Sequence, residues 1–290
     1  MTPFELLEPR SLKEAAGLLG DGDTSVRPMA GGTAVMLMMK MGVLRPTRLV
    51  SLRAVEKRYS EIGAAPDGGL RIGAMATLSA LERSSLVKSK APVIVRTLRT
   101  LSNVRVRNVA TLGGHLGHAD PHMDLPPVLI ALGATVTTVS ARGGRTLPLE
   151  ELHAGYLETT LERGELIAEV TVPARGQRRA AYLKCTTRSA DDWPALGVAV
   201  SLDISSENEG GAVRDALIVI SAATDKPTRL TGAEGVLRGA RPDEATLRRA
   251  GDAGAAEAGV IADAHGSAAY KRELARVYVA RAIRAALDNR

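Results

Sequence analysis

The chain has 290 residues, 45% hydrophobic and 24% charged, with a formal net charge of +6; this is ordinary globular composition, and beyond ~250 residues a split into domains is expected. One Trp, one Phe and five Tyr offer little surface for stacking bases, and the basic residues are scattered among acids, so no nucleic-acid partner is expected. The single cysteine, Cys185, excludes a disulfide framework, a Cys-rich zinc site or an iron–sulfur cluster held by this chain alone.

No apolar run reaches the ~18 residues that cross a bilayer, and the opening Met-Thr-Pro-Phe carries no basic region followed by an apolar one. A cytoplasmic chain without a membrane span is the expectation. Residues 10–20 read as an amphipathic helix with Ser11 as N-cap and Gly20 as stop. A short strand from Val26 then enters the pair Gly31-Gly32, followed by a helix from about Thr33, whose hydroxyl is expected to cap it. Residues 48–53 and 70–74 read as strands with a polar connection, Thr77 as the cap of a helix to about Leu86, and 91–102 as another helix.

Residues 107–134 come next: a loop rich in Gly and His, closed by Asp124 and an apolar run opened by Pro126-Pro127. Asp124 is expected to cap that run as a short buried helix. Thr135–Ser140 and Arg145–Leu149 read as a hairpin around Gly143-Gly144, and Leu166–Val172 as a further strand. A polar connection at 174–179 marks the expected domain boundary, giving 1–175 (subdomains about 1–55 and 56–175) and 178–290. Beyond it the expectation is strands at 180–187, 197–204 and 216–222, a turn at Asn208-Glu-Gly-Gly, and helices at 228–238, 242–258 and 267–288. In the last helix Tyr270, Leu274, Val277 and Leu287 fall near one face.

Two features carry chemistry. The pairs Gly31-Gly32 and Gly113-Gly114 each precede an apolar run and are each flanked by Thr, yet neither is a Walker loop or a GxGxxG fingerprint. Two N–H-rich turns can clasp a diphosphate from both sides, and ordinary tight turns are the competing reading. The second feature is the set His115, His118, Asp120, His122 and Asp124, whose residue types suit a metal. Gly117, Pro121 and the Pro pair make that stretch an irregular loop rather than a ligand-aligning helix face, which weighs against one. No Gly-x-Ser-x-Gly elbow occurs, Cys185 sits in an expected strand, and no catalytic residue is assigned. Lys184, Arg188, Asp191, Asp192 and Trp193 form a polar cluster that can face the first domain.

Taken together, Ala30-Gly-Gly-Thr-Ala-Val35, Val106-Arg-Asn-Val-Ala-Thr-Leu-Gly-Gly114, Asp120-Pro, Asp124-Leu-Pro, Leu132-Gly-Ala134, Leu183-Lys184, Arg188 with Asp191-Asp-Trp193, and Tyr270-Lys-Arg resemble one family across nearly the whole chain. It is the FAD-binding medium subunit of molybdenum hydroxylases, the group of carbon monoxide dehydrogenase, 4-hydroxybenzoyl-CoA reductase and xanthine dehydrogenase. The resemblance implies an α+β fold: a two-part FAD-binding domain of the vanillyl-alcohol oxidase (PCMH) type, then a small α+β domain with a three-stranded sheet and helices. It implies that Met29, Ala30, Gly31, Gly32, Thr33 and Ala34 wrap one side of the FAD diphosphate. Ala110, Thr111, Gly114, His115, Gly117 and His118 would form the second loop, Asp124 would bind a ribitol or ribose hydroxyl, and Ile167 and Lys184 would sit near the flavin. Tyr156 is a further aromatic on that side. Ala34 and His115 depart from the family's usual Asp or Ser and Asn or Asp; His115 would add pH dependence if it meets phosphate as imidazolium.

The implied function is electron transfer by an oxidoreductase subunit. Its partners would be a large molybdenum-cofactor chain and a small 2Fe-2S chain in a heterotrimer able to dimerise, with an external final acceptor. The alternatives are a free-standing FAD-dependent oxidoreductase, or a metal- or ligand-binding protein built on the His115–His122 loop with FAD lost.

Overall fold

The computed structural model describes residues 2–20, 22–174, 176–206 and 211–289. Residues 208–210 of the expected turn, and Arg175 in the expected connection, lie outside that set.

Three sheets organise the chain. The first is parallel, in the order Glu5–Leu7, Arg48–Ser51, Val26–Met29. Its strands are joined by the helices Leu12–Gly20 and Thr33–Lys40, the crossovers that parallel pairing requires. Leu12, Ala15, Ala16, Val26 and Val50 form its core with Leu166 and Ala168 of the next sheet. That sheet is antiparallel and five-stranded, in the order Ile62–Ala64, Leu70–Gly73, Leu166–Val172, Thr135–Val139, Thr146–Pro148. The expected hairpin is present, with Val136 opposite Leu147 and Ser140 bridged to Gly143. The third sheet is antiparallel: Arg179–Cys185, Leu196–Ile204, Val213–Ser221 and the two-residue strand Thr228–Arg229.

The helix Leu125–Ala131 is buried on every side. Alternation along the third sheet explains how: Ala199 and Val219 join the core that holds Leu129 and Ile94, while Val198, Val200, Ile218 and Ile220 face the other way, onto Leu247, Val279 and Ile283. The apolar run behind the Gly/His loop is thus the helix that both halves of the chain share.

Several expectations change. The helix expected from Thr77 to Leu86 is two, Leu78–Arg83 capped by Thr77 and Ser85–Lys90 capped by Ser84. The connection between 53 and 70 contains the strand Ile62–Ala64, and the C-terminal sheet gains Thr228–Arg229, so the helix expected at 228 starts at Thr231. In the last helix, Ala268–Asp288, Tyr270 and Val277 are exposed; the buried face is Lys271, Ala275, Val279, Ala282, Ile283 and Ala286. Small alanines allow close packing there, and a paired lysine is hidden among them, neither of which a search for large apolar residues finds.

Candidate functional site

The two glycine turns meet. A β-carbon on Gly31 would stand 2.1 Å from the Val109 carbonyl oxygen and 2.8 Å from the Ala110 α-carbon, so backbone lies directly against backbone. Gly114 faces the same way, with Ala30 3.4 Å from where its β-carbon would be. The second turn is held in turn by the segment 74–78: Gly113 donates to the Ala74 carbonyl at 2.7 Å, Leu112 to Ala76 at 2.9 Å, and Leu78 to Ala110 at 2.9 Å.

The two turns differ in what they offer. The helix Thr33–Lys40 begins at Gly32 in a left-handed conformation (φ +77°) with no side-chain cap. Thr33 is therefore the first helical residue rather than the cap, and the N–H groups of that first turn have no intrahelical acceptor. Residues 118–124 of the stretch expected to be an irregular loop are irregular, and the part before them is helical, as Val104–Val109 and Leu112–Gly117. Its amides are occupied: Leu112 and Gly113 by the 74–78 segment, Gly114 by the Thr111 hydroxyl at 3.2 Å, and His115 by the Thr111 carbonyl at 2.9 Å. Free amide donors are thus a property of the first turn, and the second contributes close approach and side chains.

His115 is buried, and its Nε2 has no hydrogen-bond partner. Burial, with the nearby His118 and His153, brings its pKa down to about 3, so it is a neutral imidazole and not the imidazolium considered from the sequence. Burial also lowers His118 and His153, and His153 meets the Leu116 carbonyl through Nε2 at 3.1 Å. Gly117 lies beside Ile167, whose Cδ1 would be 3.9 Å from a β-carbon there. Tyr156 is exposed on the small hairpin His153–Gly155 and Glu158–Thr159.

Asp124 does not cap its helix. Its carboxylate accepts instead from Tyr182 Oη at 2.6 Å and from Lys184 Nζ at 3.0 Å, both on the strand Arg179–Cys185. Lys184 also donates to the carbonyls of Thr100 (2.7 Å) and Asp192 (3.2 Å), which uses all three of its protons. Burial pushes the Asp124 carboxyl above its ordinary value, against the pull of Lys184 and Tyr182. Burial and the Asp124 charge likewise push the Tyr182 hydroxyl well up. A cleft of about 370 Å³ opens against Lys184, lined by Arg96, Thr97, Thr100 and Tyr182 among others. Tyr182 was missed from the sequence; its only signal was a polar-tipped aromatic two residues before Lys184.

The histidine loop does not gather for a metal. His115 is enclosed in the N-terminal half, whereas His122 turns to Asp120 and Asp263, each at 2.9 Å. Among the described residues no three such side chains form a metal-holding group, and no helix is long and apolar enough to cross a membrane.

These features suit a large anionic cofactor: a turn that only glycine can form at Gly31, an uncapped helix start facing it, and a buried imidazole nitrogen without a partner. Comparison with known proteins agrees. Residues 2–175 match the FAD binding domain in molybdopterin dehydrogenase, and residues 181–286 match the CO dehydrogenase flavoprotein C-terminal domain. The glyceraldehyde dehydrogenase medium chain of Sulfolobus acidocaldarius is 29% identical over 97% of both chains. The nicotine 6-hydroxylase medium subunit of Paenarthrobacter nicotinovorans is 31% identical over 95% of this chain and 94% of that one. Among solved structures, carbon monoxide dehydrogenase from Hydrogenophaga pseudoflava, in a form lacking the Mo-pyranopterin moiety of its molybdenum cofactor, contains a chain that superposes with a TM-score of 0.93 at 30% identity, covering 99% of each. The chain belongs to the FAD-binding flavoprotein subunits of molybdopterin dehydrogenases, an oxidoreductase family, and its cofactor is FAD.

Proposed function

We propose that this chain is the electron-transferring subunit of a molybdenum-containing dehydrogenase of the cytoplasm. Its partners are a large molybdenum-cofactor chain and a small 2Fe-2S chain, and its FAD hands electrons to an external acceptor. The observation that carries the reading is the backbone contact of Gly31 with Val109–Ala110 beside an uncapped helix start. FAD supplies the conversion between two-electron and one-electron transfer when bound.

The remaining work falls to the protein. The first-turn amides from Gly31 to Ala34 hold the diphosphate, and Met29 and Ala30 bring the strand up to it. Ala110, Thr111, Gly114 and Gly117 keep the second wall thin, and His118 borders it. Neutral His115 offers its unpartnered nitrogen for a hydrogen bond without adding charge. Ile167 excludes water. Asp124 lies behind the cleft that Lys184 lines and holds Lys184 by its ion pair; Asp124 can turn an oxygen to a sugar hydroxyl and Lys184 keeps a cation close to the ring. The division of labour also agrees with Cys185 as the only cysteine, since clusters must be carried by another chain.

Purification through this chain alone, from the cells that express it naturally, tests the proposal. The expected product contains flavin in this chain, with molybdenum and iron in copurified partners. A colourless chain that takes up no FAD would overturn the cofactor site. A yellow monomer that turns over a substrate unaided would replace the subunit reading with a free-standing oxidoreductase.

A further inference from the structure

Just beyond the second glycine turn, the chain ties itself to its C-terminal half through one histidine. His122 Nδ1 lies 2.9 Å from Asp120 Oδ1, and its Nε2 lies 2.9 Å from Asp263 Oδ2. An ionised carboxylate only accepts, so both ring nitrogens can donate only when the ring is an imidazolium. Charge balance asks for the same state. Lys271, fully buried, places Nζ 2.6 Å from Asp263 Oδ2. Two carboxylates against one ammonium leave one negative charge over, and the imidazolium cancels it.

The surroundings make this a junction between halves. Lys271 also donates to the Ala222 carbonyl at 2.9 Å, and the Ala222 amide donates to the Pro121 carbonyl at 2.9 Å. The groups facing His122 are Asp120 on its own segment, Asp263 and His265 from the turn before the last helix, Lys271 on that helix, and Trp193. The rings of His265 and Trp193 stand 5.3 Å and 5.4 Å away. The Asp120 charge also acts on His118.

We propose that His122, as its imidazolium, is a positioning residue: a proton-operated cross-tie that seats the segment between the second glycine turn and Asp124 against the C-terminal half. Burial opposes its charge, but the hydrogen bonds and charges of Asp120 and Asp263 outweigh burial and lift its pKa above the ordinary histidine value. A group raised in the folded state adds stability that is complete below its unfolded pKa of about 6.5 and is lost as pH rises through the higher folded value. The tie is therefore closed in mildly acidic and neutral solution and released on the alkaline side.

Trp193, the only tryptophan, is a reporter placed against this ring. An imidazolium in contact quenches indole emission more strongly than a neutral imidazole does. Fluorescence of the full chain, titrated from acid to alkali, is expected to rise in one single-proton step centred above about 6.5. The step should vanish in His122→Gln, persist in His265→Gln, and move to lower pH in Asp120→Asn, which removes one of the two charges. Histidine nitrogen NMR of the unaltered chain at neutral pH should show one ring protonated at both nitrogens. A flat titration, a step that survives His122→Gln, or no doubly protonated ring would overturn the proposal.

Discussion

Gly31 and Val109 touch backbone to backbone: a β-carbon on Gly31 would stand 2.1 Å from the Val109 carbonyl oxygen. Backbone cannot yield as a flexible side chain can. Gly31→Ala is therefore expected to part the two turns, abolish flavin retention and cost at least ~3 kcal/mol, the upper range for overpacking. At Gly114 the nearest atoms to a β-carbon are 3.1 and 3.4 Å away. Gly114→Val should fold and still lose FAD, while Gly114→Ala should keep part of it. The ratio of flavin to protein absorbance, read beside the thermal midpoint, separates the cases; a yellow, fully stable Gly31→Ala would contradict the contact.

Lys184 and Asp124 form an ion pair whose side chains are 7% and 6% exposed. Breaking such a pair from one side leaves a buried charge, which costs ~3–5 kcal/mol. Lys184→Met should lose about that much in denaturant unfolding. Adding Asp124→Asn should restore part of it, because the stranded carboxylate is gone and Tyr182 can still bond to the amide. Strictly additive losses would show that the two residues do not act as a pair.

His115 sets an acid limit. Its pKa falls from 6.5 unfolded to about 3 folded, so the unfolded chain binds a proton first as pH drops. Stability is complete above the unfolded value and should decline by roughly 1.4 kcal/mol per pH unit between the two. His118 and His153 are lowered as well, so the comparison with His115→Asn isolates this residue. Urea midpoints at several pH values should fall less steeply for the variant; parallel slopes would count against a neutral, buried His115.

Arg107 braces the approach to the second turn. It meets Glu82 at 2.9 Å and the carbonyls of Leu101 and Ser102 at 3.0 and 2.6 Å, at a bend where Ser102 has φ +50°. Arg107→Ala should cost about 3 kcal/mol, since it strands an acid and two carbonyls. Arg107→Lys should recover only a fraction, because an ammonium cannot span that fork. Equal stability of the lysine variant and the unaltered chain would refute the geometric argument.

Much of the fold was legible from periodicity and turns. The hairpin at 135–148, the strand at 166–172 and the buried helix after Asp124 follow from apolar pattern and glycine placement alone. What failed was local polar bonding. Thr33 and Asp124 both read as caps, yet the first lies inside its helix and the second is drawn away by Tyr182 and Lys184 across 58 and 60 residues of chain. No local pattern reports such a partner. His115, His118 and His122 looked like one set because they are close in sequence, whereas burial encloses one in the N-terminal half and Asp263 draws another to the C-terminal half. The last helix was misread for a related reason: Lys271 is buried because Asp263 pairs with it, and a lone sequence ranks lysine as surface.

That lysine has a counterpart. Lys271 and Lys184 have side chains 0% and 7% exposed, and each is gripped by a carboxylate at the junction of the two halves. An amine-acylating reagent reaches exposed lysines at once but can reach these two only when their bonds open. Their slow labelling, followed residue by residue with mass spectrometry, would time how often each of the two pairs opens.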